Sequence, residues 1–94
     1  MVREVRVGQL VISKAGRDKD RPYLVLQFDG SFVFLADGSA RRVENPKRKN
    51  VKHIIPTQYL ARDVLAKLEA GLKVSNREVQ KAIEELLASW RQGG

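Results

Sequence analysis

The apolar positions along the chain change their period partway through. In the first part they come as short runs at residues 8–15 (GQLVISKA), 23–28 (YLVLQF), 32–36 (FVFLA) and 51–55 (VKHII). These runs are rich in β-branched and aromatic side chains, which predicts strands. Asp29-Gly30 separates the second run from the third, and Asp37-Gly38 ends the third. Asp-Gly supplies the positive φ angles that tight hairpin turns require. Short strands with closely spaced turns within the first 57 residues predict a small, strongly bent barrel. The run at 23–28 is apolar on both alternating faces, with Leu24, Leu26 and Phe28 on one and Tyr23 and Val25 on the other. A sheet with one wet face alternates more cleanly, so another element is expected to cover part of the second face.

The second part supplies that cover. Leu60, Val64, Leu65, Leu68 and Leu72 follow a helical period after Pro56-Thr57, interrupted at Gly71. Ser75 and Glu78 then read as a capping box, each side chain accepting from the other's backbone N–H. Val79, Ile83, Leu86, Leu87 and Trp90 continue as one apolar stripe. The expected organisation is a barrel over 1–57 and two amphipathic helices over 58–94, packed on the barrel or used for association. A frayed tail is expected at Gln92, Gly93 and Gly94. No internal repeat or low-complexity segment occurs.

Charge sharpens the division. Lys and Arg number 18 against 11 Asp and Glu, a net of +7 over 94 residues. Residues 1–57 carry a net of +6 and residues 58–94 only +1. Such an excess favours a polyanionic partner. The absence of cysteine excludes disulfides, zinc ribbons, iron–sulfur clusters and thiol catalysis, and a single histidine excludes a multi-histidine metal site within one chain. No run approaches the roughly 18 apolar residues of a membrane span. The alternation of charge and valine at the start lacks the apolar stretch of a signal peptide, so a soluble, cytoplasmic protein is expected.

Two segments concentrate the basic charge. Segment 13–22 (SKAGRDKDRP) joins two strands and places Gly16 at a tight turn. Its Arg17 and Arg21 suit bidentate phosphate contacts, with Lys14 and Lys19 as point charges. Asp18 and Asp20 lie between these cations and read as charge balance rather than as paired catalytic carboxylates. Segment 41–53 (RRVENPKRKNVKH) holds Arg41, Arg42, Lys47, Arg48, Lys49 and Lys52 against Glu44 alone. Asn45-Pro46 disfavours helix there, so a flexible basic loop suited to a phosphate backbone is expected. Five or six neutralised phosphates would give a slope of log affinity against log salt of about −3.5 to −5. Among the aromatics, most are expected in the core. Tyr23, beside the first basic loop, is the candidate for base stacking. His53 reads as a packed or surface residue, with no nucleophile arranged beside it.

Taken together, segment 7–20 (VGQLVISKAGRDKD) resembles a KOW motif. Lys14-Ala15-Gly16-Arg17, with the later Arg41-Arg42-Val43 and Asn50-Val51-Lys52-His53-Ile54, is similar to the KOW domain of the large-subunit ribosomal protein fourteen-e family and its small bacterial relatives. The likeness covers about residues 5–57. It implies an SH3-like barrel and structured RNA, ribosomal RNA first, held through basic loops and strand ends. Many KOW motifs have glycine where this chain has Asp20 or Arg21, and the C-terminal helices receive no function from the resemblance.

The expected function is therefore a non-enzymatic RNA-binding protein, ribosomal or ribosome-associated, with no cofactor, no metal and no catalytic residue. Its RNA-binding residues would be Lys14, Arg17, Lys19, Arg21, Arg41, Arg42, Lys47, Arg48, Lys49 and Lys52. The C-terminal helices could engage a ribosomal protein or a second copy of the chain. An alternative is a protein-interaction adaptor in transcription or translation, whose SH3-like barrel binds a peptide or a transcription–translation partner and whose helices dock a second protein or a copy of themselves. A third reading makes 75–90 a DNA-reading helix with Asn76 and Arg77 near its start. Only two helices are visible and their net charge is near zero, which speaks against it.

Overall fold

The computed structural model describes residues 4–92. Five strands come first: β1 (Gln9–Ser13), β2 (Pro22–Phe28), β3 (Phe32–Ala36), β4 (Lys47–Asn50) and β5 (Ile54–Leu60). Two helices follow, α1 (Arg62–Glu69) and α2 (Asn76–Gln92). The strands form one antiparallel sheet in the order β4-β3-β2-β1-β5. β1 to β4 run as a meander, and β5 returns to lie beside β1. The ladder ends at β4 and β5, so the sheet is not closed. The mixed β and α class expected from the sequence is present. Of the expected tail, Gln92 closes α2 while Gly93 and Gly94 lie outside the described residues.

Two stretches differ from the sequence reading. The basic segment at 47–50 is strand β4 rather than a flexible loop. Its residues lack apolar character, yet Val33 faces Lys49, Phe34 faces Arg48 and Leu35 faces Lys47 across the ladder. Pairing with β3 satisfies the backbone whatever the side chains are. The run 51–55 is not one strand: Val51–His53 forms a 3-10 turn, and Ile54 opens β5. Asn50 caps that turn, its side chain accepting from the Lys52 N–H at 3.0 Å. β5 then runs to Leu60, so the expected boundary at residue 57 falls inside a strand. Pro56 fits there because β5 is an edge strand.

Both faces of the sheet are covered in part. On one face, Val11, Tyr23, Val25, Val33, Leu35 and Ile54 form one cluster, joined by Val5, Phe28 and Val51. On the other, Leu10 and Leu24 meet Ala61, Val64, Val74, Val79 and Ile83 from the helices and their links. The register shift between Val25 and Gln27 resets the alternation of β2. Phe28 therefore shares a face with Tyr23 and Val25, not with Leu24 as simple alternation predicts. The helices are thus packed on the sheet, as the doubly apolar strand requires. The stripe Val79–Ile83–Leu86–Leu87 is used within the chain, whereas Trp90 at its end stays 38% exposed.

The capping box forms as expected: the Glu78 N–H donates to Ser75 Oγ at 3.1 Å and the Ser75 N–H to Glu78 Oε2 at 2.8 Å. The start of α2 also holds the β3–β4 connection. Asn76 accepts from the Val43 N–H and donates to Glu44, both at 2.7 Å. Gln80 donates to the Gly38 carbonyl at 2.5 Å. Gly38 has φ +80, and a Cβ there would run into the Asn76 carbonyl oxygen, so the close approach requires glycine.

Candidate nucleic-acid interface

The β1–β2 connection, residues 14–21, folds as two linked turns. The Lys19 N–H donates to the Gly16 carbonyl at 3.2 Å, the Arg21 N–H to Asp18 at 3.0 Å, and the Asp20 N–H to Ser13 at 2.7 Å. Gly16 at φ +86 and Asp20 at φ +71 make the left-handed corners. Asp20 is the one described non-glycine residue with positive φ. Aspartate tolerates this region better than most residues.

This winding turns Asp18 inward, where it is 7% exposed. Its carboxylate accepts from Ser13 Oγ at 3.0 Å and from the Tyr23 hydroxyl at 3.3 Å. Lys49 Nζ lies 3.0 Å from Oδ1 and Lys47 Nζ 3.1 Å from Oδ2. Lys49 also donates to the Ala15 carbonyl at 3.0 Å. The loop is therefore pinned to β4 by a five-residue polar cluster. Burial by itself raises the Asp18 pKa, but the hydrogen bonds from Lys49, Lys47 and Ser13 outweigh it and hold the carboxyl well below the usual range. Burial first, and the Asp18 charge second, push the Tyr23 phenol up to about 12.

The cluster divides the predicted site residues. Lys14, Arg17, Lys19 and Arg21 point outward and are exposed, and among the described residues none is in an ion pair. The Lys14 N–H donates to the His53 carbonyl at 3.0 Å, which sets exposed Lys52 and His53 beside the loop. Arg21 lines a shallow groove with Asp37, Ser39, Gln80 and Glu84. Lys47 and Lys49, in contrast, lie on the core face of β4 with their stems over Val33 and Leu35 and their ammonium groups spent on Asp18. They shape the surface and are not free to neutralise phosphate. Arg48 is on the opposite face, its guanidinium carbon 3.7 Å from the Phe32 ring centroid. Arg42 pairs with Glu44 at 3.1 Å on the β3–β4 connection. Arg41, half-buried, has its N–H on Asp37 Oδ1 at 2.8 Å.

Tyr23 is a correction. It is only 2% exposed, packed among Val11, Val25, Val33 and Leu35 with its hydroxyl on Asp18, so its ring presents no face for a base. Asp18 does balance charge, as its sequence neighbourhood suggests, but its partners come from β4 rather than from its own loop. Nothing local in the sequence marks Ser13 or Tyr23 as hydrogen-bond donors to a buried carboxylate. Asn76, considered as a base-reading residue, is occupied by Val43 and Glu44.

Among the described residues, no group of three His, Cys, Asp or Glu side chains is placed to hold a metal ion, and no helix is long and apolar enough to cross a membrane. Compared with known proteins, the chain matches no protein-family model and no curated protein.

Proposed function

We propose that this chain is a non-enzymatic RNA-binding protein, ribosomal or ribosome-associated, that holds structured RNA by its phosphates. One observation carries the reading: a buried, fully partnered Asp18 anchors a loop whose four cations, Lys14, Arg17, Lys19 and Arg21, all face solvent. A fixed loop loses less entropy when its side chains engage phosphate than a flexible one. Lys52 lies beside the same loop, and residues 58–94 carry a net charge of only +1, so most of the excess positive charge belongs to residues 1–57. The SH3-like KOW barrel is the finer reading of the fold. It is supported by the meander with β5 returning beside β1, by the 3-10 turn linking β4 to β5, and by the ion pairs joining loop 14–21 to β4.

Fluorescence anisotropy with labelled ribosomal RNA fragments, over a series of salt concentrations, tests the proposal. Binding that weakens with a log–log slope of about −3 to −5 is expected for four to six phosphate contacts. No binding at low salt, or affinity indifferent to salt, overturns it.

A further inference from the structure

The helices cover only part of the outer sheet face. Leu10 and Leu24 lie beneath them, while Phe32 and Phe34 on the same sheet belong to neither core cluster among the described residues. Both rings are half-buried at alternate positions of β3, on the face opposite Val33 and Leu35. That spacing puts them about 6.7 Å apart along the strand. Across the ladders Phe34 faces Arg48 on one side and Gln27 on the other, and both neighbours are exposed. Arg48 lies over Phe32, its guanidinium carbon 3.7 Å from the ring centre. Asp29 is within electrostatic reach of Arg48, but its Oδ1 accepts from the Ser31 and Phe32 N–H groups.

Two half-buried aromatic side chains and an exposed arginine on a sheet face outside the helix-covered cluster, in a chain of net charge +7, have the chemistry that takes single-stranded bases. Each base offers a π-face to an aromatic ring or an arginine plane, and the cation favours the nearby phosphate. We propose that the outer face of the β3–β4 hairpin, formed by Phe34 and by Phe32 under Arg48, stacks unpaired bases of the bound RNA. This rests on the RNA-binding reading and adds to it a preference for loops and bulges over uniform duplex. Phosphates are held by loop 14–21, and exposed bases by the hairpin.

The test uses the full chain with two labelled RNAs, a hairpin carrying a fluorescent adenine analogue in its single-stranded loop and a blunt duplex of the same stem. Phe34→Leu keeps an apolar side chain without a ring, Phe34→Tyr restores the ring, and Arg48→Lys keeps the charge without the plane. Expected are a loss of about 5-fold or more in hairpin affinity for F34L and R48K, recovery in F34Y, and quenching of the loop fluorophore by the wild type only when the platform is intact. Duplex affinity and the salt slope should stay as in the wild type. Thermal melts accompany each variant; if F34L is unfolded at the working temperature, R48K decides. Hairpin binding unaffected by both substitutions overturns the stacking platform while leaving phosphate binding in place. A wild type that binds neither RNA overturns both proposals.

Discussion

Asp18 and Lys49, thirty-one positions apart, meet at 3.0 Å with both side chains about nine-tenths buried. The pair ties the β1–β2 loop to an edge strand with no apolar side chain of its own. Lys47 adds a second cation at 3.1 Å, so one acid compensates two lysines brought in over the core. Removing the acid leaves both without their counter-charge. Asp18→Asn is expected to destabilise the protein by about 3 kcal/mol, measured by urea denaturation. Asp20→Asn, on the exposed side of the same loop, should change it by no more than about 0.5 kcal/mol.

The same geometry sets an acid limit. Asp18 and Glu78 both have folded pKa values below their ordinary 3.8 and 4.5, Glu78 held at about 2 chiefly by its hydrogen bond from Lys67 and then by the Ser75 N–H. A depressed folded pKa gives stability that is complete above the unfolded value and is lost as pH falls toward the folded one. Stability should therefore be level down to about pH 4.5 and decline below it. The decline should be shallower in D18N, as thermal melts across the acid range would show.

Loop cations and strand lysines should separate in their effects. Lys14→Ala, Arg17→Ala and Lys19→Ala are each expected to reduce the salt slope of RNA binding by about 0.7 to 0.9 and to leave stability within about 0.5 kcal/mol. Lys49→Ala should instead lower stability by about 1–3 kcal/mol, because it strips a partner from a buried carboxylate. Paired anisotropy and denaturation series make the comparison.

Gly38→Ala should cost at least about 2 kcal/mol, combining a strained φ with overpacking against α2. Gly30→Ala is the matched control: its φ is +97 but no atom lies within 4 Å of the added Cβ, so only the backbone term, about 1 kcal/mol, remains. A loss in Gly30→Ala equal to that in Gly38→Ala would remove the close approach to α2 as the cause.

Ser75→Ala is expected to lower stability by about 1 kcal/mol through loss of the N-cap hydrogen bond to Glu78 N–H. Ser75→Asp should retain most of it, read as the melting temperature.

The amino-acid sequence by itself determined what is local in this protein. The β-branched runs and the Asp-Gly pairs mark β2, β3 and the hairpin between them. Ser75 and Glu78 mark the start of α2, and the apolar stripe marks the face that α2 buries. Each depends on residues within a few positions of one another, so spacing carries the information. Only the tertiary structure decided the rest. β4 is a strand because β3 offers it a ladder, which its own lysines do not advertise. Lys47 and Lys49 are anchors rather than phosphate contacts because Asp18 arrives from another part of the chain. Tyr23 is buried among Val11, Val25, Val33 and Leu35 on the face away from the helices, and Phe32 and Phe34 stay half-buried because the helices pack over Leu10 and Leu24 on the other face. In each case a side chain's role was decided by what lies across the sheet from it, which spacing along the chain does not contain.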